Sequence, residues 1–279
     1  MADSFGDRVA AAVRATGPLC AGIDPSRALL ESWGLPDDAR GLRSFCAACV
    51  EAFAGVLPVV KPQVAFFERH GSAGIAELER LVAAAGAAGL LVIADAKRGD
   101  IDSTAEAYAE AWLGDASPLA VDAVTVHPYL GLGALAPVVR LAAANGRGVL
   151  VVVRSSNPEG RGLQAARTAD GPSVEDMLFC EIAALNTSSA VPAGTVGAVV
   201  GATLDPSDFA LSQLGGVILA PGLGAQGAGP DDVARRFAGC PAGTVLPSSS
   251  RGLLRAGPDP DELRRQAGSL VRELAARMG

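Results

Sequence analysis

The chain is 279 residues long, 49% of them hydrophobic, and carries a formal net charge of −7. Length and apolar content supply one large core or two small ones. The acidic balance, with aromatic residues at only 4%, excludes the basic stripe and stacking rings expected of a nucleic-acid binder.

Along the chain, short apolar runs alternate with longer helical stretches. Strands are expected at Leu19–Asp24, Pro58–Val64, Gly89–Asp95, Ala120–Val126, Val149–Arg154, Gly197–Gly201, Gly216–Ala220 and Gly243–Pro247. Most are β-branched or apolar throughout, as parallel strands covered on both faces must be. Helices are expected at Gly41–Leu57, Ala73–Ala88, Ser103–Leu113, Leu132–Asn145, Ser173–Thr187, Pro206–Leu214, Pro230–Ala238 and Asp259–Met278, with Pro and Gly at most junctions. No linker or composition shift divides the sequence, so residues 1–279 are expected to form a single domain.

The opening Met-Ala-Asp-Ser-Phe-Gly-Asp-Arg lacks the pattern of a secretory signal, and no apolar run reaches the ~18 residues that span a bilayer. Five cysteines at irregular spacing fit a reduced, cytoplasmic protein better than a disulfide framework. Cys46-Ala-Ala-Cys49 has C-x-x-C spacing, but it lies in a helical pattern and has no second ligand pair. The two histidines, His70 and His127, have no metal-ligand spacing, so no metal and no cofactor are expected.

Repeated β–α units in one chain of this length read as a (β/α)8 TIM barrel; a doubly wound open sheet shares the alternation. Chemically loaded residues close almost every strand: Asp24, Lys61, Asp95, His127, Ser155–Asn157, Gln226 and Arg251. A barrel gathers those ends into one ring, whereas an open sheet divides them between two crevices. The polar stretch 157–172 reads either as a lid over that ring or as an insertion without a role.

Lys plus Arg total 23, yet only Lys61 and Lys97 are lysines. Lysine, unlike arginine, can give up its proton. Lys97 lies in Asp95-Ala-Lys97-Arg-Gly-Asp100-Ile101, flanked by carboxylates, and strand alternation turns Asp95 and Lys97 the same way. An ammonium beside a carboxylate suits a general acid better than a Schiff-base amine. Asp100 falls in the turn before the next helix, where an ion-paired helix start capped by Asp102 or Ser103 is the plainer alternative. Lys61, ending strand two, extends the charge array or is a core lysine that snorkels. Asp24 could accept from sugar hydroxyls, although Asp24-Pro-Ser is also an ordinary helix start. Pro221-Gly-Leu-Gly-Ala-Gln226-Gly and Ser248-Ser-Ser-Arg251-Gly252 follow strands seven and eight, where barrels bind phosphate through exposed N–H groups, with Arg251 adding a charged fork. His127 could be a base or a hydrogen-bonded lining residue, and His70 reads as structural.

These residues resemble the signature of the orotidine 5'-phosphate decarboxylase family: Asp95-Ala-Lys97-Arg-Gly-Asp100-Ile101 with Lys61 on the preceding strand. The similarity runs from Gly-Ile-Asp24-Pro-Ser through Ser156-Asn-Pro-Glu-Gly to Ser-Arg251, and Lys61-Pro-Gln-Val-Ala-Phe-Phe-Glu resembles the longer bacterial subgroup. The resemblance implies decarboxylation without cofactor or metal by a tetrad of Lys61, Asp95, Lys97 and Asp100, in a homodimer whose partner copy contributes Asp100 and Thr104. It places Asp24 and Thr104 at the ribose, Ile101 and Ser156 among the substrate contacts, and Gln226 with Arg251 at the phosphate. His127 matches no residue of the family pattern. The Asp-x-Lys-x-x-Asp core is shared with magnesium-dependent sugar-phosphate lyases, which need a further acid near strand two where this chain has Lys61-Pro-Gln. A phosphosugar-binding barrel without activity is a third reading.

Overall fold

The computed structural model describes residues 3–203, 210–224 and 227–278. Strands β1 (Cys20–Ile23), β2 (Val59–Pro62), β3 (Leu91–Arg98), β4 (Ala123–Val126), β5 (Gly148–Arg154), β6 (Val196–Val200), β7 (Ile218–Pro221) and β8 (Val245–Ser249) pair in sequence order, all parallel, and β8 closes on β1. The expected barrel is therefore the observed one, and the open sheet is not.

The helices are α1 (Phe5–Thr16), α2 (Arg27–Ser32), α3 (Ala39–Phe53), α4 (Ala65–Glu68), α5 (Gly71–Ala87), α6 (Asp102–Leu113), α7 (Ala136–Ala144), α8 (Arg161–Gln164), α9 (Val174–Thr187), α10 (Pro230–Arg236), α11 (Arg251–Leu254) and α12 (Pro260–Met278). The helix expected at Pro206–Leu214 is not seen in its described part, which holds one 3-10 turn, Leu211–Gln213; residues 204–209 lie outside the described residues. Cys46 and Cys49 are helix neighbours, both buried on α3, and burial pushes both thiols up, away from the thiolate that redox or metal chemistry requires.

Strand alternation divides the core in two. Cys20, Val59, Ile93, Ala123, Leu150, Val199, Leu219 and Leu246 fill the barrel interior, while Ala21, Val60, Val92, Val124, Val151, Ala198 and Ile218 pack outward against the helices. At the amino ends of the strands the interior is sealed by α1, a helix that the sequence pattern does not announce. Ser4 and Asp7 form a capping box at its start, and its Phe5 and Val9 are fully buried in the inner cluster. A Cβ on Gly148 would stand 2.3 Å from the Phe5 ring, so β5 begins with glycine because the plug comes so close. Arg8 fastens α1 from outside by pairing with Asp122 and donating to the Gly146 carbonyl at 3.0 Å. With the lower end plugged, the carboxyl ends of the strands are left as the open mouth.

Candidate active site

A cavity of about 280 Å³ opens at that mouth, lined by Asp24, Lys61, Asp95, Lys97, Ser156 and Arg251 among others. Six of the ten site residues that the family resemblance implies thus meet in one place. Val152, Val199 and Leu219 supply its apolar surface. Three cations against two carboxylates make the lining formally positive by one charge, inside a chain that is acidic overall.

Asp95 is the centre of the arrangement. Its Oδ2 accepts from Lys61 Nζ at 2.9 Å and Gln63 Nε2 at 3.1 Å; its Oδ1 accepts from Lys97 Nζ at 2.5 Å and the Thr125 hydroxyl at 3.0 Å. Each oxygen therefore takes one ammonium and one neutral donor. Burial alone would raise the Asp95 carboxyl, but the Lys61 and Lys97 ammonium groups outweigh it and hold it far below the ordinary carboxylate range. Burial likewise acts to lower Lys61, and the charges of Asp95 and Asp24 overcome it and hold the ammonium above its usual value. Lys61 is thus a paired, buried cation rather than a snorkelling one.

Asp95 and Lys97 do converge, but simple alternation is not how they do so. β3 runs on past Asp95 to Arg98, its pairing with β4 shifts between Ala94 and Arg98, and Lys97 sits at φ 48°, in the left-handed region. Arg98 anchors the far side of this kink: it donates to the Ala96 carbonyl at 2.9 Å, pairs with Glu68 of α4, and lies 5.8 and 5.9 Å from the Tyr108 and Trp112 ring centroids. A Cβ at Gly99 would meet the His127 carbonyl oxygen at 2.6 Å. His127 packs there, against the β3–α6 turn, and is not among the cavity lining. His70, at the start of α5, lies beside Asp37 with 3.7 Å between Nε2 and Oδ1 and is not among the cavity lining.

Asp24 Oδ2 accepts from the Ser250 hydroxyl at 2.6 Å, while its Oδ1 is buried without a partner. A Cβ at Gly22 would fall 2.6 Å from the Ser250 side chain, so glycine in β1 lets Ser250, just after β8, lean in and orient that carboxylate. Helix α2 starts from Ser26 instead, whose hydroxyl accepts from the Leu29 N–H. On the β5 side, Ser155 is braced by Gln164 of α8 at 2.8 Å, and a buried ion pair, Arg154 with Glu175 at 3.4 Å, ties the two ends of the β5–α9 connection together. Across the mouth, Gly222 and Gly224 adopt positive φ of 116° and 81° opposite Ser248, Ser250 and the exposed Arg251. Gln226 lies outside the described residues.

Three of the singled-out residues do not reach this cavity in one copy of the chain. The Asp100 carboxylate accepts from the Ile101 N–H at 2.9 Å, Ile101 is 50% exposed, and Thr104 is exposed on α6. The anticipated side-chain cap at this helix start is also absent: Ile101 occupies the N-cap position without a side-chain hydrogen bond, and Asp102 has φ 47°. A residue in the left-handed region cannot serve as an ordinary extended cap. Conversely, Gln63 and Thr125 were not singled out. Each stood in view as a polar residue two positions from a flagged one, Gln63 after Lys61 and Thr125 before His127.

Residues 17–266 match the family model described as Orotidine 5'-phosphate decarboxylase / HUMPS family. Among curated relatives, the orotidine 5'-phosphate decarboxylase of Salinispora tropica is 52% identical over 274 residues, 98% of either chain. That of Corynebacterium glutamicum strain R is 50% identical over 263 residues, 94% of either chain. A crystal structure from Streptomyces avermitilis that carries the same family assignment superposes with a TM-score of 0.94 at 49% identity, covering 99% of this chain and 96% of the other. The OMP decarboxylase structure of Leishmania donovani reaches 0.76 at 30% identity, covering 99% of each.

Proposed function

We propose, from the premise that this chain belongs to the orotidine 5'-phosphate decarboxylase family, how its cavity performs that family's reaction, the conversion of orotidine 5'-phosphate to uridine 5'-phosphate that ends UMP synthesis. The observation that carries the reading is the carboxylate of Asp95 held between Lys61 and Lys97 in a cavity of net positive charge.

Arg251 and the glycine-rich loop after β7, with Gln226, take the 5'-phosphate. Asp24 Oδ1 accepts from a ribose hydroxyl, and Ser156 bonds the pyrimidine. The phosphate is remote from the reacting carbon, so its binding energy can order the charge array around the base. Decarboxylation breaks the bond between C6 and its carboxyl group; CO2 leaves and the electron pair stays on C6 as a vinylic carbanion. Lys97 Nζ donates a proton to C6, forming the new C–H bond, and recovers a proton from water through its half-exposed side chain. Its positive charge stabilises the developing carbanion beforehand, while the ionised Asp95 crowds the substrate carboxylate that departs. Lys61 keeps Asp95 ionised and in place. No step calls on a metal or cofactor.

The whole chain acts as one catalytic unit in the cytoplasm, as a homodimer. A second copy contributes Asp100, Ile101 and Thr104 to each cavity, which accounts for their distance from it within one copy. The exposed apolar side chains Ile101, Tyr129 and Leu130, on the loops after β3 and β4, support a partner on that face. The test is the loss of orotidine 5'-phosphate absorbance with and without EDTA. Turnover unchanged by EDTA is expected. Turnover abolished by EDTA would instead favour a magnesium-dependent sugar-phosphate lyase, and binding without turnover a non-catalytic barrel.

A further inference from the structure

We infer that Thr125 is a positioning residue for Lys97, acting as the joint that holds both ends of the proton donor at once. The inference rests on the decarboxylase reading above and deepens it. Thr125 is fully buried on β4, a hydroxyl in an otherwise apolar strand of sequence Ala-Val-Thr-Val. Its oxygen accepts from the Lys97 backbone N–H at 3.0 Å, and its own proton goes to Asp95 Oδ1, also at 3.0 Å. That same Oδ1 receives Lys97 Nζ. Main chain, hydroxyl, carboxylate and ammonium form a closed loop through a single lysine.

Two features make the joint necessary. First, Lys97 is held at φ 48° where β3 slips its register against β4. A non-glycine residue persists in that region only when its surroundings over-determine it, and the slip removes the ordinary ladder partner of its N–H. The Thr125 hydroxyl replaces that partner. Second, the Lys97 side chain is half-exposed, and its ammonium is held by the Asp95 carboxylate. A flexible four-carbon stem with a free root would sample water, whereas a fixed root and a fixed acceptor leave it one position. Because the Thr125 oxygen already accepts from the main chain, its proton is directed at Asp95, and the carboxylate cannot rotate away. Lys61 is held differently, as a buried cation on the other oxygen, so loss of Thr125 should loosen the donor while leaving the rest of the array in place.

The experiment compares Thr125→Val, which keeps shape and removes the hydroxyl, with Thr125→Ser, which keeps the hydroxyl and removes the methyl. Steady-state kcat and KM for orotidine 5'-phosphate are measured with the melting temperature of each. Loss of hydrogen bonding to a charged group is expected to lower kcat about ten- to a hundred-fold in Thr125→Val, with KM within about twofold. Thr125→Ser is expected to regain most of kcat even where its melting temperature is the lower of the two. A Thr125→Val enzyme with kcat within about twofold of the parent overturns the inference, as does a Thr125→Ser enzyme as slow as Thr125→Val, which would make the effect one of packing. A parent chain that does not turn over orotidine 5'-phosphate overturns the functional reading itself, and this inference with it.

Discussion

Asp95 shows how a few ångströms decide the chemistry of a side chain. A buried carboxylate without partners would be neutral at pH 7; four donors keep this one ionised. Its folded pKa lies below its unfolded value of about 3.9, so the stability it contributes is present above about pH 4 and is lost as pH falls through the folded value. Lys61 has the opposite sign: raised above about 10.4, its contribution is present below that pH and is lost as pH rises through the folded value. Neither group should change charge between about pH 5 and 9. A carbon NMR titration of the Asp95 carboxyl is expected to stay flat over that window, and a step within it would show that the lysines do not dominate. Lys97 has a separate task. Lys97→Ala should lower kcat on the order of a thousand-fold or more, the scale of a lost positioned acid and charge together, while UMP still binds by calorimetry. Near-normal turnover would remove the proton-donor assignment.

At the scale of elements, the two ends of the barrel divide the labour between stability and chemistry. The carboxyl ends carry the β3 kink, the positive-φ glycines after β7 and the leaning Ser250, all of which serve the cavity. The amino ends are closed by α1, whose Phe5 ring fills the inner core. Phe5→Ala should therefore cost about 3–5 kcal/mol, the range for truncating a buried aromatic residue, measured by urea denaturation. KM for orotidine 5'-phosphate should stay nearly unchanged, because the lesion lies at the opposite mouth. A loss below about 1 kcal/mol would mean that α1 is an accessory rather than a plug.

The whole molecule is acidic, yet it presents a locally positive cavity to an anionic ligand. In the dimeric reading each cavity takes Lys97 from one copy and Asp100 from the other. Mixing Lys97→Ala with Asp100→Ala subunits, each inactive alone, should produce hybrid dimers in which one site carries both lesions and the other none. With random exchange about a quarter of parental activity should return, since half the dimers are hybrids with one intact site. No recovery after subunit exchange, confirmed by native mass spectrometry, would place Lys97 and Asp100 in the same copy's site.

How far the sequence reached is clearest where element and site part company. Apolar strand runs separated by amphipathic helices give the barrel, because parallel strands must be buried on both faces and their carboxyl ends must then converge. That convergence makes Asp24, Lys61, Asp95, Lys97, Ser156 and Arg251 legible as one set, but it also gathers His127, which packs against the β3–α6 turn instead. Helix α1 is not legible in the sequence because its two buried residues, Phe5 and Val9, form too short an apolar stripe to stand out before the fold supplies the hole they fill. The left-handed Lys97 and the bare helix start at Ile101 were hidden for a related reason: a register slip is set by how β3 meets β4, not by the residues of β3. Gln63 and Thr125 are polar letters in apolar strands, and only three-dimensional pairing turns them into donors to Asp95. By itself the sequence determined which residues carry charge and which way successive side chains face; tertiary contact decided which of them touch, because hydrogen bonds form between neighbours in space, and neighbours 28 to 34 positions apart are made by the barrel alone.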